Sequence, residues 1–367
     1  MLTILAIIIV IFSLILLVTF HELGHFLLAK KFGVKVEEFG IGIPPRIFGK
    51  KIGETVYSLN LLPIGAFVKL LGEEEKVDEP RSFSQKPVWQ RAAIVLAGVV
   101  SFWIISAIII SIVAGVWGIP TGISDSEVLG TRDHDPRIVI AEVAKGSPAD
   151  SAGLEMGDII REVKNYDSKL PTDKTGELIN FIENNKGKEI TLAVQRGQKI
   201  IDISLTPRFN PPTGEGPIGI APERVVSRSL PWYQALIQGI SLTKDITLSI
   251  ISGFINIIKM LVHKTPIPKG ALEVRGIVGI GQLGVQVLES GSANYLLFLT
   301  NISIFLALFN ILPIPALDGG KILFLAIEKF RGKPVDQKIE QNVTVFFFIL
   351  IMALAIFITV KDISRFF

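Results

Sequence analysis

The segment VTFHELGHFLLAK, Val18 to Lys30, places two imidazoles and a carboxylate at the end of an apolar run that starts at Leu2. On a helix, residues four apart share a face, so His21 and His25 can reach one metal ion while Glu22 projects beside them. Two imidazoles and one carboxylate suit Zn2+, with a fourth position left to water. Zinc lowers the pKa of that water to about 7, where a neighbouring carboxylate can take its proton. The alternative is a pair of histidines satisfied inside a helical bundle. It leaves Glu22 unexplained, because an acid at membrane depth is costly and usually functional.

Outward from this motif, the composition is that of a membrane protein. Of 367 residues, 49% are hydrophobic. A hydrocarbon core of about 30 Å takes roughly 20 helical residues. Four regions qualify: Leu2–Ala29, Ala92–Trp117, Tyr295–Leu312 and Val343–Val360. The first is expected to be an uncleaved span, since no basic residue precedes it and apolar residues resume after His25. Absence of cysteine excludes disulfides, thiolate catalysis and Cys-ligated zinc. A net charge of +3 without a dense basic run gives no support for nucleic acid as a partner.

Basic residues set the orientation. Glu22 to Arg91 carries eleven Lys or Arg, and Lys321, Lys329, Arg331, Lys333 and Lys338 precede the last span. Both loops are therefore expected on the cytoplasmic side, with the polar half of the chain and both termini outside. The stretch Tyr233–Val262 is long and apolar but interrupted by Lys244, Asp245 and Lys259. We expect it to lie in the membrane interface.

The polar half contains KGSPADSAGLEMGDIIREV, a helix-like DKTGELINFIENN, and two alternating stretches, KEITLAVQR and KIIDISLTP. Gly153 and Gly157-Asp158 read as tight turns, and Arg196-Gly197-Gln198 as a hairpin. This is a sheet capped by a short helix, about 90 residues long and present once. It resembles a PDZ domain of the bacterial form through its SPADSAGLEMGDII run; a small α+β domain of unknown ligand is the plainer reading.

A third metal ligand has one outstanding candidate. His134 and His263 fall on the outer side by the charge argument. Asp318 lies in FNILPIPALDGGKILFLAIEKF, where Pro313 and Pro315 must break the third span. A broken helix at membrane depth faces protein or a wet cavity. His21 precedes Lys30 by nine residues and Asp318 precedes Lys329 by eleven, which puts both roughly 14–16 Å inside the cytoplasmic boundary. In isolation Asp318 would read as a turn aspartate; beside HExxH it reads as a ligand. If Tyr233–Val262 crossed the membrane, Asp318 would finish at the wrong face. Lys321 is expected to snorkel or to face the cavity.

HELGH in the first span, NILPIPALDGG after the third and one PDZ-like unit between the second and third resemble the site-2 protease family. The likeness is to its bacterial branch, the regulators of sigma-E protease type. That resemblance implies an intramembrane zinc endopeptidase that cuts a substrate's transmembrane helix within the bilayer. It makes His21, His25 and Asp318 zinc ligands and Glu22 the general base. It also gives Asn310 the role of holding the substrate backbone, where the plainer reading is an amide that satisfies the broken helix. FGIGIPPRIFGKKIGETVYSLNLLPIGAFVKLL resembles the family's membrane-embedded hairpin sheet. A helical peptide bond is wrapped in its own hydrogen bonds, so an extended edge strand that pairs with opened substrate gives that sheet a purpose. Residues around Gly40 and Gly42 are the candidates for this edge, or are ordinary turn glycines. The second span reads AGVVSFWI where many relatives have Gly-Pro and Asn, so no residue is carried over there.

The expected fold is thus an α-helical membrane protein with four transmembrane helices, a membrane-associated β-hairpin sheet and one extracytoplasmic α+β PDZ-like domain. Its parts are residues 1–118 and 271–367 as two catalytic halves, 119–226 as linker and PDZ-like domain, and 227–270 as the interfacial segment. One Zn2+ per chain is expected, in a bacterial inner membrane. Expected partners are membrane lipid and single-span membrane proteins such as anti-sigma factors or signal peptide remnants. Two rivals are weaker. A PDZ scaffold with a vestigial site would be expected to have lost Glu22 or a ligand. A metal-ion carrier should show ionisable residues along several spans and near-symmetric halves.

Overall fold

From Leu2 to Lys31 the chain has no proline and no acid or strong base before Glu22, and it forms one 30-residue helix, α1. At 1.5 Å per residue that is about 45 Å, more than a bilayer's hydrocarbon core. A computed structural model describes residues 2–73, 75, 77–166, 168–197, 199–263, 265 and 276–364. The expected boundary at 270/271 and Gln198 of the expected hairpin lie outside these residues. After α1 come β1 (Val36–Ile52), β2 (Thr55–Leu70) and α2 (Val88–Val116). A polar region follows with β3 (Ile119–Gly122), β4 (Asp133–Val143), α3 (Pro148–Ser151), β5 (Ile159–Lys164) and β6 (Lys169–Pro171). It continues through α4 (Thr175–Asn184), β7 (Ile190–Arg196), β8 (Lys199–Leu205) and β9 (Ile220–Arg228). The chain then runs through α5 (Trp232–Val262), α6 (Ile277–Glu289), α7 (Ser292–Asn310), α8 (Asp318–Arg331) and α9 (Gln337–Ser364).

Two units separate, one of Met1–Ile110 with Leu236–Phe367 and one of Ser111–Ala235. Among the described residues five helices are long and apolar enough to cross a membrane: α1, α2, α5, α7 and α9. Four coincide with the regions expected from the sequence. The fifth, α5, is the stretch expected to lie flat, and it forms one unbroken helix of 31 residues.

Within the first unit, contacts fix the helix directions. Ser13 hydrogen-bonds Tyr295 near the start of α7, while His21 and His25 lie against Asp318 beyond its end. So α1 and α7 run the same way. His25 meets Ile94 and His21 stacks on Phe102, so α2 runs the opposite way. Thr344, near the start of α9, donates to the Pro315 carbonyl. Asp362, near its end, accepts from the Gly276 and Gly279 N–H groups at the start of α6. Gly284 of α6 rests on Val10 of α1, so α9 also opposes α7. Val10, Leu17, Val99, Phe102, Tyr295 and Leu299 form the shared core of this bundle.

The strands β1 and β2 bend back on one another. Ile52 pairs with Thr55 and Lys50 with Tyr57, as in a hairpin, and Gly40 pairs with Phe67 further out. Gly40 also pairs with Ser58, and Phe39 with Tyr57, so the numbers rise together on that side. The segment Glu38–Ile41 is therefore flanked on both sides. This corrects the expectation that Gly40 marks a free edge: the fold-back covers it. The outer segments are Ala66–Leu70 and Arg46–Ile52. Gly42 sits at the bend with φ +82°, and a Cβ there would come 2.6 Å from the Leu62 carbonyl oxygen. Both glycines are required for close approach.

The second unit holds a seven-stranded antiparallel sheet in the order β3-β9-β4-β5-β7-β8, with β6 on β5. Its strands and α4 fall where alternation and helical spacing predict them. Leu178 and Ile182 of α4 pack on Ile138, Ile160, Ile190 and Leu192. Asp158, 2% exposed at its side chain, accepts two hydrogen bonds from Arg196 and one from the Glu155 N–H. Burial alone would raise this carboxyl, but those bonds outweigh it and hold its pKa below the usual range.

Candidate metal centre

Three residues distant in sequence meet in the first unit. His21 Nε2 lies 3.3 Å from His25 Nε2 and 3.3 Å from Asp318 Oδ2, and His25 Nε2 lies 3.4 Å from the same oxygen. Ligand atoms held 2.0–2.1 Å from a tetrahedral zinc ion stand about 3.3–3.4 Å apart, so the triangle has the right edges. Both histidines are 7% exposed. Asp318 Oδ2 is buried without a hydrogen-bond partner among the described residues, as a ligand oxygen would be. The donor set therefore fits a zinc ion.

Each corner is built by its surroundings. His25 Nδ1–H donates to the Ile94 carbonyl at 2.9 Å, which leaves the Nε2 lone pair facing Asp318. The His21 ring stacks on Phe102 with centroids 4.7 Å apart. Phe102 is fixed in turn, because Ser303 of α7 donates to its carbonyl. α1 and α2 approach closely at small residues: a Cβ on Gly24 would come 2.4 Å from the Ala97 oxygen, and one on Gly98 would come 2.1 Å from His25 Nε2.

Asp318 opens α8 directly after the proline-broken loop. Side chains on Gly319 and Gly320 would collide with the carbonyls of Leu312 and Ile314, at 2.1 and 2.3 Å. Only glycines let the helix start tuck under that loop and aim the carboxylate at the histidines. Two ion pairs seat α8: Arg91 of α2 grips Glu328, and Lys321 pairs with Glu73 just after β2. Lys321, expected to snorkel or to face the cavity, has its ammonium engaged by that carboxylate.

Glu22 is half-buried on the turn that carries both histidines, and no described residue hydrogen-bonds its carboxylate. His25, Asp318 and Lys321 share its electrostatic surroundings. Asn310 ends α7, and its Nδ2 donates to the Leu306 carbonyl of its own helix at 3.0 Å. Gly40 and Gly42 lie in the sheet described above.

Residues 9–354 match the sequence profile of peptidase family M50. The chain belongs to this family. The resemblance read from HELGH and NILPIPALDGG is thereby confirmed, and the enzyme class expected for the chain, a zinc metallopeptidase of site-2 protease type, is that of its family. This peptidase is 34% identical over 348 residues to a Clostridium acetobutylicum protein named as a candidate zinc metalloprotease, covering 95% of this chain and 94% of that one. It is 29% identical to the regulator of sigma-W protease RasP of Bacillus subtilis, covering 96% of each. It is 28% identical to the regulator of sigma E protease of Salmonella typhi, covering 95% of this chain and 96% of that one.

Sequence reasoning did not find Gly98, Phe102 or the Ile94 carbonyl of this peptidase. The available signal was weak: Ala97-Gly98 is one of several small-residue pairs in a span that also holds Ala92-Ala93 and Ala114-Gly115.

Proposed function

We propose that this chain is an intramembrane zinc metalloprotease that hydrolyses peptide bonds within transmembrane segments. His21, His25 and Asp318 would hold Zn2+, and Glu22 would be the general base. The observation that carries the reading is the 3.3–3.4 Å triangle of two imidazole nitrogens and one orphaned carboxylate oxygen. When bound there, zinc supplies a Lewis acid that makes water nucleophilic near neutral pH and polarises a carbonyl. The protein's own part begins with Glu22, which takes a proton from the attacking water and passes it to the leaving amine. The Ile94 carbonyl keeps His25 in one tautomer. Asn310, at the broken end of α7, would hold the substrate backbone. Ala66–Leu70 pairs only with Val36–Ile41 among the described residues, and it takes over the edge role for β-addition of opened substrate. Gly40 and Gly42 shape the sheet behind it.

Four spans, α1, α2, α7 and α9, fit this reading, with α5 along the interface. α2 ends and α7 begins at the same face, so α5 and α6 together start and finish there. α6 has only 13 residues, about 20 Å, too short to return across a bilayer. Residues 119–226 would be a linker and PDZ-like domain, and the basic loops support a topology in which it and both termini lie outside a bacterial inner membrane. The sigma-regulator names of the relatives favour anti-sigma factors as substrates, and signal peptide remnants are the second class.

A purified preparation acting on a model transmembrane substrate is expected to lose cleavage on chelation and regain it with added zinc. Cleavage that survives complete removal of metal would refute the reading. Gly98→Ala should lower zinc affinity by about 10- to 100-fold, as expected for disturbing groups that orient ligands. Gly253→Ala, in open space, should change nothing.

A further inference from the structure

In the second unit, the end of α2 and the beginning of α5 lie side by side. The Leu230 N–H donates to the Ala114 carbonyl at 2.9 Å, and Gly115 faces Ala235. Residues 230–235 therefore sit level with the last turn of an apolar helix, where a span meets the headgroups. Trp232 is 81% exposed and Tyr233 is 51% exposed, the amphipathic aromatics that favour that layer. The loop before β4 joins them. Val128, Gly130 and Arg132 line a hollow of about 370 Å3 together with Leu230, Pro231 and Gln234. The Ser229 N–H donates to the Arg132 carbonyl at 3.0 Å, which fixes the loop's height.

The tip of that loop is apolar and bare. Val128 is 88% exposed and Leu129 is 38% exposed, in the otherwise polar run SDSEVLGTR. Arg228 is engaged by Asp133 and Glu127, whereas no described carboxylate pairs with Arg132. An apolar tip with a guanidinium on the same loop suits the boundary between acyl chains and headgroups, where the one can enter and the other can meet phosphate.

We propose that the 124–132 loop docks on the lipid surface, with Val128 and Leu129 entering the acyl boundary and Arg132 contacting lipid phosphate. The occupant is lipid because the tip adjoins residues 230–234, which lie level with the last turn of α2, and the proposed function puts that end of the span at the membrane surface.

The chain has no cysteine, so Val128→Cys carries a single bimane label in the full protein reconstituted into phospholipid vesicles. Lipids brominated on their acyl chains are expected to quench it and to leave a label at Tyr166→Cys, a fully exposed turn position, unquenched. Arg132→Gln, added to the Val128→Cys protein, should weaken that quenching. An unquenched Val128 label overturns the proposal and leaves the tip to a protein partner. Equal quenching at both positions overturns it too, since the loop would then have no special place at the surface. Quenching indifferent to Arg132→Gln removes the phosphate contact.

Discussion

Replacing Glu22 by Gln is expected to leave zinc content unchanged and to reduce cleavage of a transmembrane substrate by roughly 100- to 10,000-fold, the range attributable to a general base. The amide has nearly the shape of the carboxylate, and no described group hydrogen-bonds to Glu22, so the substitution strands no partner. It removes only the ability to accept a proton from water. Glu22 stands outside the triangle of His21, His25 and Asp318, so the metal should remain. Metal analysis and a cleavage assay on the same preparation check both halves. Undiminished cleavage would eliminate Glu22 as the base. Loss of zinc would instead make it a ligand. The inactive form would also retain bound substrate, and material recovered with it from native membranes would identify what the enzyme cuts.

Much of this site was legible because its chemistry is written in short motifs. HELGH sets two imidazoles on one helix face with a carboxylate beside them, by helical periodicity alone. Pro313, Pro315 and the Asp318-Gly319-Gly320 run announce a broken helix with a carboxylate at its restart. The equal depth of His21 and Asp318 could be counted from the basic residues beyond them. The polar sheet was legible through alternation in ITLAVQR and KIIDISL and through the turn glycines Gly153 and Gly157.

What escaped depends on contacts between remote parts of the chain. Gly98 reads as one more small residue in a span until the imidazoles are set against it. Gly319 and Gly320 read as turn residues, whereas their backbones pass under the carbonyls of Leu312 and Ile314. The edge role given to Gly40 came from the likeness to a hairpin sheet, and that likeness does not reveal that β2 folds back along the far side of Gly40. The Arg91–Glu328 and Lys321–Glu73 pairs, which seat α8, leave no periodic trace at all.

Asp318→Ala provides the second large effect and the most direct test. The triangle of ligand atoms contains one carboxylate oxygen, and its removal leaves two imidazoles from a single helix turn. Loss of an outer-shell partner alone weakens metal binding by about 10- to 100-fold, so loss of a ligand should exceed that. α8 should stay in place, because Gly319, Gly320 and both ion pairs are untouched. The decisive measurement is the zinc content of the wild-type and Asp318→Ala proteins, purified side by side in folded form. We expect one ion per wild-type chain and almost none in the variant. Equal zinc in both would mean that the carboxylate at the start of α8 and the histidines of α1 do not share an ion.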